Sequence, residues 1–158
     1  MLVLRSVFFA LLLPGSVTLL IPYYILPARG NTISHWGPLQ FLGLGAIAVG
    51  GTILIRCIVE FARSGRGTLA PIDPPKTLVV QGLYRYVRNP MYVGVTTVLL
   101  GETALFHSSA LLYYTAVWFV IVNAFVIFYE EPTLRAKFGE SYEQYCRAVG
   151  RWIPRRPA

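Results

Sequence analysis

Hydrophobic residues in this chain are gathered into long blocks, and the blocks predict membrane helices. Ser6 to Leu26 carries no charged residue over 21 positions, Trp36 to Ile55 none over 20, and Ser108 to Tyr129 none over 22. Met91 to Phe106 is shorter and holds one charged residue, Glu102. A helix crossing the ~30 Å hydrocarbon layer needs about 20 mainly apolar residues. Three blocks meet that length. The short one needs cover from its neighbours, little tilt or a locally thinned bilayer. Lipid offers no partner to a free backbone N–H or C=O, so each block is expected to be helical. Pro14 and Pro22 interrupt the first block and predict a kinked, retained helix. It is longer than the ~7–15-residue apolar core of a signal peptide, and no small-x-small cleavage pattern follows it convincingly.

After Tyr129 the pattern changes. Leu134, Phe138, Tyr142, Tyr145 and Val149 recur at helical spacing, with Arg135, Lys137, Glu140, Glu143 and Arg147 on other faces. Pro132 suits a first helical turn, and Glu130-Glu131 complement the positive end of the dipole. An amphipathic tail helix over 132–149 is predicted, weakened at Gly139. It would lie at the membrane surface or dock over the bundle, with Trp152 as an interfacial anchor. Residues 61–89 form the only long loop, and its Gly and Pro residues predict an ordered, non-helical excursion. His107-Ser108-Ser109 is a tight connection that makes the last two spans an antiparallel hairpin. The chain therefore reads as a single all-α integral membrane domain over 1–158. It is a polytopic bundle of four transmembrane helices, at about 6–26, 36–56, 91–106 and 108–129, plus the C-terminal amphipathic helix.

Composition and charge sharpen this picture. The chain is 55% hydrophobic and 13% charged, against about 25% charged in soluble domains. Its net charge of +7 is arranged by topology and is no signal for nucleic acid. Of the fourteen Lys and Arg residues, all but Arg29 fall on one side of the four-span arrangement. The positive-inside rule makes that side cytoplasmic, with both termini inside. Cys57 and Cys146 lie near that side, where a disulfide is not expected. His35 and His107 lie opposite and lack ligand spacing, so no metal site is expected.

The hairpin brings two polar clusters to one face. Gly82 to Gly94 holds Tyr84, Arg85, Tyr86, Arg88, Asn89, Pro90, Met91 and Tyr92; Glu130-Glu131 ends the next span. Pro90 at a helix start leaves preceding backbone groups outside the helix ladder, able to face a ligand. Arginines flanking a span are otherwise ordinary topology signals. Twin acids at a helix start are otherwise dipole partners, typically worth 0.3–1 kcal/mol. Together they suggest a water-accessible pocket for a cationic ligand at the membrane boundary. Glu102, near the outer end of its helix, is expected to snorkel to water, and Asn123 to make an interhelical hydrogen bond.

Gly82, Tyr84, Arg88, Pro90, Tyr92 and Gly94, then Glu130-Glu131, then Phe138-Gly139, Tyr142 and Tyr145, form a pattern that resembles the isoprenylcysteine carboxyl methyltransferase-like membrane proteins. Phospholipid N-methyltransferases share much of it. The match covers about Lys76 to Pro154. The resemblance implies S-adenosylmethionine as cofactor and in-line methyl transfer to a lipophilic or small acceptor: a carboxylate, amine, thiol or hydroxyl. It implies that Lys76, Thr77, Leu78 and Val79 lie along the cofactor, that Tyr84, Asn89, Pro90, Met91 and Tyr92 wall its pocket, and that Glu130 and Glu131 meet its cationic end. Arg88, Asn89 and Tyr92 would serve the reaction, while Tyr142, Tyr145, Arg147 and Arg151 close the pocket, Tyr142 and Arg151 towards the substrate. Two positions depart from the pattern. Asn89 stands where the family usually has His, and it cannot titrate. Val126 stands where prenyl-protein methylating members carry an Arg for the substrate carboxylate, and an apolar residue cannot hold that group. Membrane sterol reductases look similar around Arg88, Pro90 and Tyr92, which keeps an NADPH-dependent reductase as an alternative. A non-enzymatic membrane scaffold is the other.

Overall fold

The structure, a computed structural model, describes residues 12, 14–26, 36–64, 78 and 80–155. Among them the architecture is all-helical, with no strand. A π-helical turn at Ser16–Leu20 leads into α1 (Ile21–Ile25), with Pro22 at its start. The Thr18 hydroxyl donates to the Pro14 carbonyl at 2.7 Å. This irregular helix is the described part of the first block; residues 1–11, 13 and 27–35 lie outside the description.

α2 (Pro38–Ser64) overruns the expected span of 36–56. Pro90 opens α3 (Pro90–Phe106), which ends in a left-handed His107. Ser108 then caps α4 (Ser109–Phe125) by accepting from the Leu111 N–H. The helix does not stop at Tyr129. It continues through a π-helical turn, Val126–Glu130, into α5 (Glu131–Phe138). Gly139, at φ +52, then turns the chain into α6 (Glu140–Ala148).

The expected single tail helix over 132–149 is thus corrected. Its first half extends the preceding span, and only its second half is separate. The glycine that weakens the pattern is where it breaks. The five stripe residues nevertheless converge, because α6 folds back on α5. Tyr142, Tyr145 and Val149 form a buried cluster with Leu134, Phe138, Leu78 and Cys146 packed on it.

Two of these helical stretches, Pro38–Glu60 and the continuous Ser109–Phe138, are long and apolar enough to cross a membrane. Ser16–Ile25 and Pro90–Phe106 are apolar but shorter. The short α3 obtains its cover mainly from α2, against which it packs backbone to backbone. A Cβ on Gly43 would sit 2.6 Å from the Gly101 carbonyl oxygen, and one on Gly50 would sit 2.7 Å from that of Gly94. Two glycine contacts, seven residues apart on each helix, let the antiparallel pair approach as small residues do in membrane bundles. Leu54, Val95, Val98 and Leu99 form the core of this contact, with Val17, Met91, Tyr114 and Trp118 around it. The Tyr114 hydroxyl donates to the Val17 carbonyl at 3.0 Å, tying the first helix to α4. Glu102 does not snorkel: it lies on the covered side of α3 and is 8% exposed.

Candidate functional site

Pro90 cannot extend a helix backwards, so residues 81–89 take another course. A 3₁₀ turn, Gly82–Arg85, precedes an extended stretch through Val87 and Arg88. The tail pairs with that stretch. Val87 and Gly150 form a parallel bridge, the Arg88 N–H donates to the Gly150 carbonyl, and the Arg155 N–H donates to that of Tyr86, both at 2.9 Å. The turn before α3, the α4–α5 junction and the tail therefore meet at one end of the hairpin.

Between them lies a cavity of about 120 Å³. Leu78, Tyr84, Arg88 and Asn89 line one side, and Tyr142 and Tyr145 line another. Val126, Glu130, Glu131 and Leu134 complete it from the long helix. Val126, Glu130 and Leu134 are spaced by four and so share one helical face.

Glu131, 4% exposed, is the electrostatic centre. Arg151 grips it in a bidentate fork, Nε to Oε1 at 2.7 Å and Nη2 to Oε2 at 2.9 Å. Arg88 Nη1 stands 3.1 Å from Oε1 and 2.8 Å from Cys146 Sγ. A buried carboxylate held by two guanidinium groups satisfies the requirement that buried charge be paired and hydrogen-bonded. The pairing is unfinished in one place: Arg88 Nε is buried without a hydrogen-bond partner. Glu130, the neighbouring acid, accepts from the Tyr92 hydroxyl at 3.3 Å and faces the cavity.

The Asn89 carboxamide donates to the Arg151 carbonyl at 3.3 Å, and the Tyr145 hydroxyl donates to that of Tyr84 at 2.7 Å. Burial pushes the Tyr84 phenol well up, with smaller contributions from Cys57, Glu130, Tyr145 and Glu60. Burial also raises Tyr142, and it raises Tyr145 against the opposing Arg88 charge. These phenols are therefore neutral hydrogen-bond donors at physiological pH. The hydrogen bond to Glu131 holds the Arg151 guanidinium above its ordinary value.

Among the expected site residues, Leu78, Tyr84, Arg88, Asn89, Glu130, Glu131 and Tyr142 line the cavity together. Tyr92 reaches it through its bond to Glu130. Arg151 reaches it through Glu131. Pro90 is buried as the first residue of α3. Met91 packs against the α2–α3 core, away from the cavity lining. Lys76, Thr77 and Val79 lie outside the described residues. Trp152, expected as an interfacial anchor, is half-buried against the bundle. Its indole donates to Asn123 Oδ1 at 3.1 Å, and its ring lies 6.5 Å from Tyr92 and 5.4 Å from Phe119. Asn123 makes its hydrogen bond with the tail and not, as expected, with another span. The Glu131–Arg151 fork was missed by sequence reasoning: the two residues are far outside helical spacing, and only the Gly139 reversal brings them together.

The profile of the phospholipid methyltransferase family matches residues 39–141 of this chain. The chain is also similar to a protein-S-isoprenylcysteine O-methyltransferase of Schizosaccharomyces pombe, with 40% identity over 121 residues. That alignment covers 75% of this chain and 50% of the yeast protein, so the chain spans about half the length of that relative. An uncharacterised protein of Haemophilus influenzae is 32% identical over 63 residues, covering 40% of this chain and all of that protein.

Proposed function

The chain belongs to the phospholipid methyltransferase family, and from that footing we propose that it is an integral membrane methyltransferase using S-adenosylmethionine on a lipophilic or small acceptor. The observation that carries the reading is the cavity at the hairpin end. It combines a carboxylate, three neutral phenols and a buried guanidinium N–H that lacks a partner.

These residues fit the donor's amino-acid end, which carries an ammonium, a carboxylate and a sulfonium. Glu130 suits the ammonium, the unpartnered Arg88 Nε–H suits the carboxylate, and the faces of Tyr84, Tyr142 and Tyr145 suit the sulfonium. About 120 Å³ is below the ~300–1,000 Å³ of whole-ligand pockets. The described walls therefore take one end of the molecule. When bound, the donor supplies an electrophilic methyl group. The chain's own residues align and enclose: Glu131 fixes Arg88 and Arg151, Asn89 ties the turn to the tail, and Tyr92 orients Glu130. Alignment of this kind can contribute roughly 7–11 kcal/mol in the best intramolecular cases. In-line transfer to an acceptor arriving from the bilayer breaks the methyl–sulfur bond of the donor, and the proton of an amine, thiol or hydroxyl acceptor leaves to water, since Asn89 cannot take it.

The four-span topology with cytoplasmic termini belongs to the same proposal, and it puts the cavity at the cytoplasmic boundary. For the acceptor, Val126 makes the helix face beside Glu130 apolar, Arg151 is engaged by Glu131, and the free Nε–H of Arg88 is assigned to the donor's own carboxylate. This favours an acceptor that brings no carboxylate, such as an amine, thiol or hydroxyl on a lipophilic body. Membranes containing the protein, given S-adenosylmethionine labelled in its methyl group, should label an organic-extractable species with alkali-stable label. Alkali-labile label would mark a methyl ester and overturn the acceptor reading. No labelling above membranes lacking the protein would overturn the methyltransferase reading.

A further inference from the structure

We propose that Glu60, a residue outside the cavity, is a positioning residue that caps the Gly82–Arg85 turn from a different helix and so holds the Tyr84 wall in place. The inference rests on the methyltransferase reading only for its consequence in donor binding.

The turn has no cap of its own. Gln81 stands before it in an extended conformation, and its side chain makes no capping bond. The first N–H groups of such a turn need an acceptor or water. Glu60, near the C-terminal end of α2, supplies one: its Oε2 accepts from the Leu83 N–H at 3.4 Å. The bond is long, but the packing is tight. A Cβ on Gly82 would overlap the Glu60 carboxylate. Gly82 also has φ +58, where side chains are disfavoured. The carboxylate thus occupies the space that a side chain would take. An acid near a helix C-terminus opposes the helix dipole, so Glu60 is poorly placed for α2 and well placed for the N-terminal side of the turn.

The contact has a route to the cavity. Two residues after Gly82 stands Tyr84, whose side chain lines the cavity and whose carbonyl accepts from Tyr145. Glu60 ties the turn to α2 from one side, and Tyr145 ties it to α6 from the other. Removing the first tie frees the Tyr84 wall without touching any group that faces the donor.

The test is a double-mutant cycle on purified full-length protein in detergent, using E60A, E60Q, G82A and E60A/G82A, with calorimetric binding of S-adenosylhomocysteine and thermal unfolding as readouts. E60A should weaken binding about fivefold, the scale of a lost helix cap, and raise KM for the donor more than it lowers kcat. E60Q, which keeps an acceptor oxygen, should recover most of the loss. G82A should lower Tm more in the wild-type background than in the E60A background, because the added methyl group then meets no carboxylate. Additive Tm shifts, or donor binding unchanged in E60A, would overturn the proposal. If wild-type protein binds no S-adenosylhomocysteine, the methyltransferase reading fails, and the Tm cycle still decides whether Glu60 holds the turn.

Discussion

Glu131 accepts from two arginines while being almost wholly buried, and this makes it the most consequential side chain for stability at the site. Truncating it would leave the Arg88 guanidinium uncompensated, with a side-chain exposure of 12%. Breaking a buried pair in this way typically costs 3–5 kcal/mol. E131A should therefore destabilise by about 3 kcal/mol, read as a lower midpoint in thermal unfolding. R151A should cost less, because Arg151 is 34% exposed and Arg88 remains on the carboxylate. Equal losses would contradict the assignment of Glu131 as the centre. The importance of the acid pair was legible in the sequence, because two carboxylates at a span's end beside a basic, tyrosine-rich segment need an explanation. The division of labour was not. Adjacent residues on a helix point about 100° apart, and only the docked tail decides that Glu131 is clamped while Glu130 faces the cavity.

At the scale of elements, the α2–α3 contact depends on glycines that touch backbone. G50A and G101A would each place a methyl group inside 3 Å of the opposing helix. Overpacking of this kind costs about 1–3 kcal/mol. G45A and G51A, on the same α2 helix, meet nothing within 4 Å. They should be neutral or stabilising by up to about 1 kcal/mol through helix propensity. Unfolding midpoints of the four variants check this; a loss in G45A matching that in G50A would refute the close crossing. The apolar blocks disclosed α3 and most of α2 and α4, since charge-free stretches of that length have few other uses. The end of the last span was not legible, because Pro132 at a permitted position lets the α4 helix run into the tail through a π turn. The stripe from Leu134 to Val149 identified the right residues for the wrong element. Its spacing is kept across Gly139 by a turn, so the same side chains meet without a continuous helix.

For the whole molecule, the two clusters of apolar packing serve different ends. One binds α2, α3 and α4 together, and the other seats the tail on the end of the long helix. The second cluster contains Tyr142 and Tyr145, whose phenols burial raises. Unfolded tyrosine ionises near pH 10. Above that pH the unfolded chain releases protons that the folded protein retains, so the stability these phenols contribute is present below pH 10 and is lost as pH rises. Thermal unfolding at pH 9 and pH 11 should show a drop that is smaller in Y142F than in the wild type; an identical drop would contradict the buried tail. The helical run Ser109–Phe138 would measure about 45 Å at 1.5 Å per residue, beyond the ~30 Å hydrocarbon layer. On this account its last turns, with the cavity, stand in the cytoplasmic interface. A thiol introduced by K137C should react with a membrane-impermeant reagent only from that side. One introduced by S109C should react only from the other.

In the proposed function, the turn before α3, the long helix and the tail enclose a donor site with Glu130 at its cationic end. Isothermal titration of S-adenosylhomocysteine into purified wild-type protein and E130A tests it most directly. Binding should be saturable in the wild type and at least tenfold weaker in E130A, a charge-assisted hydrogen bond lost; equal binding by both proteins would rule out Glu130 as a donor ligand.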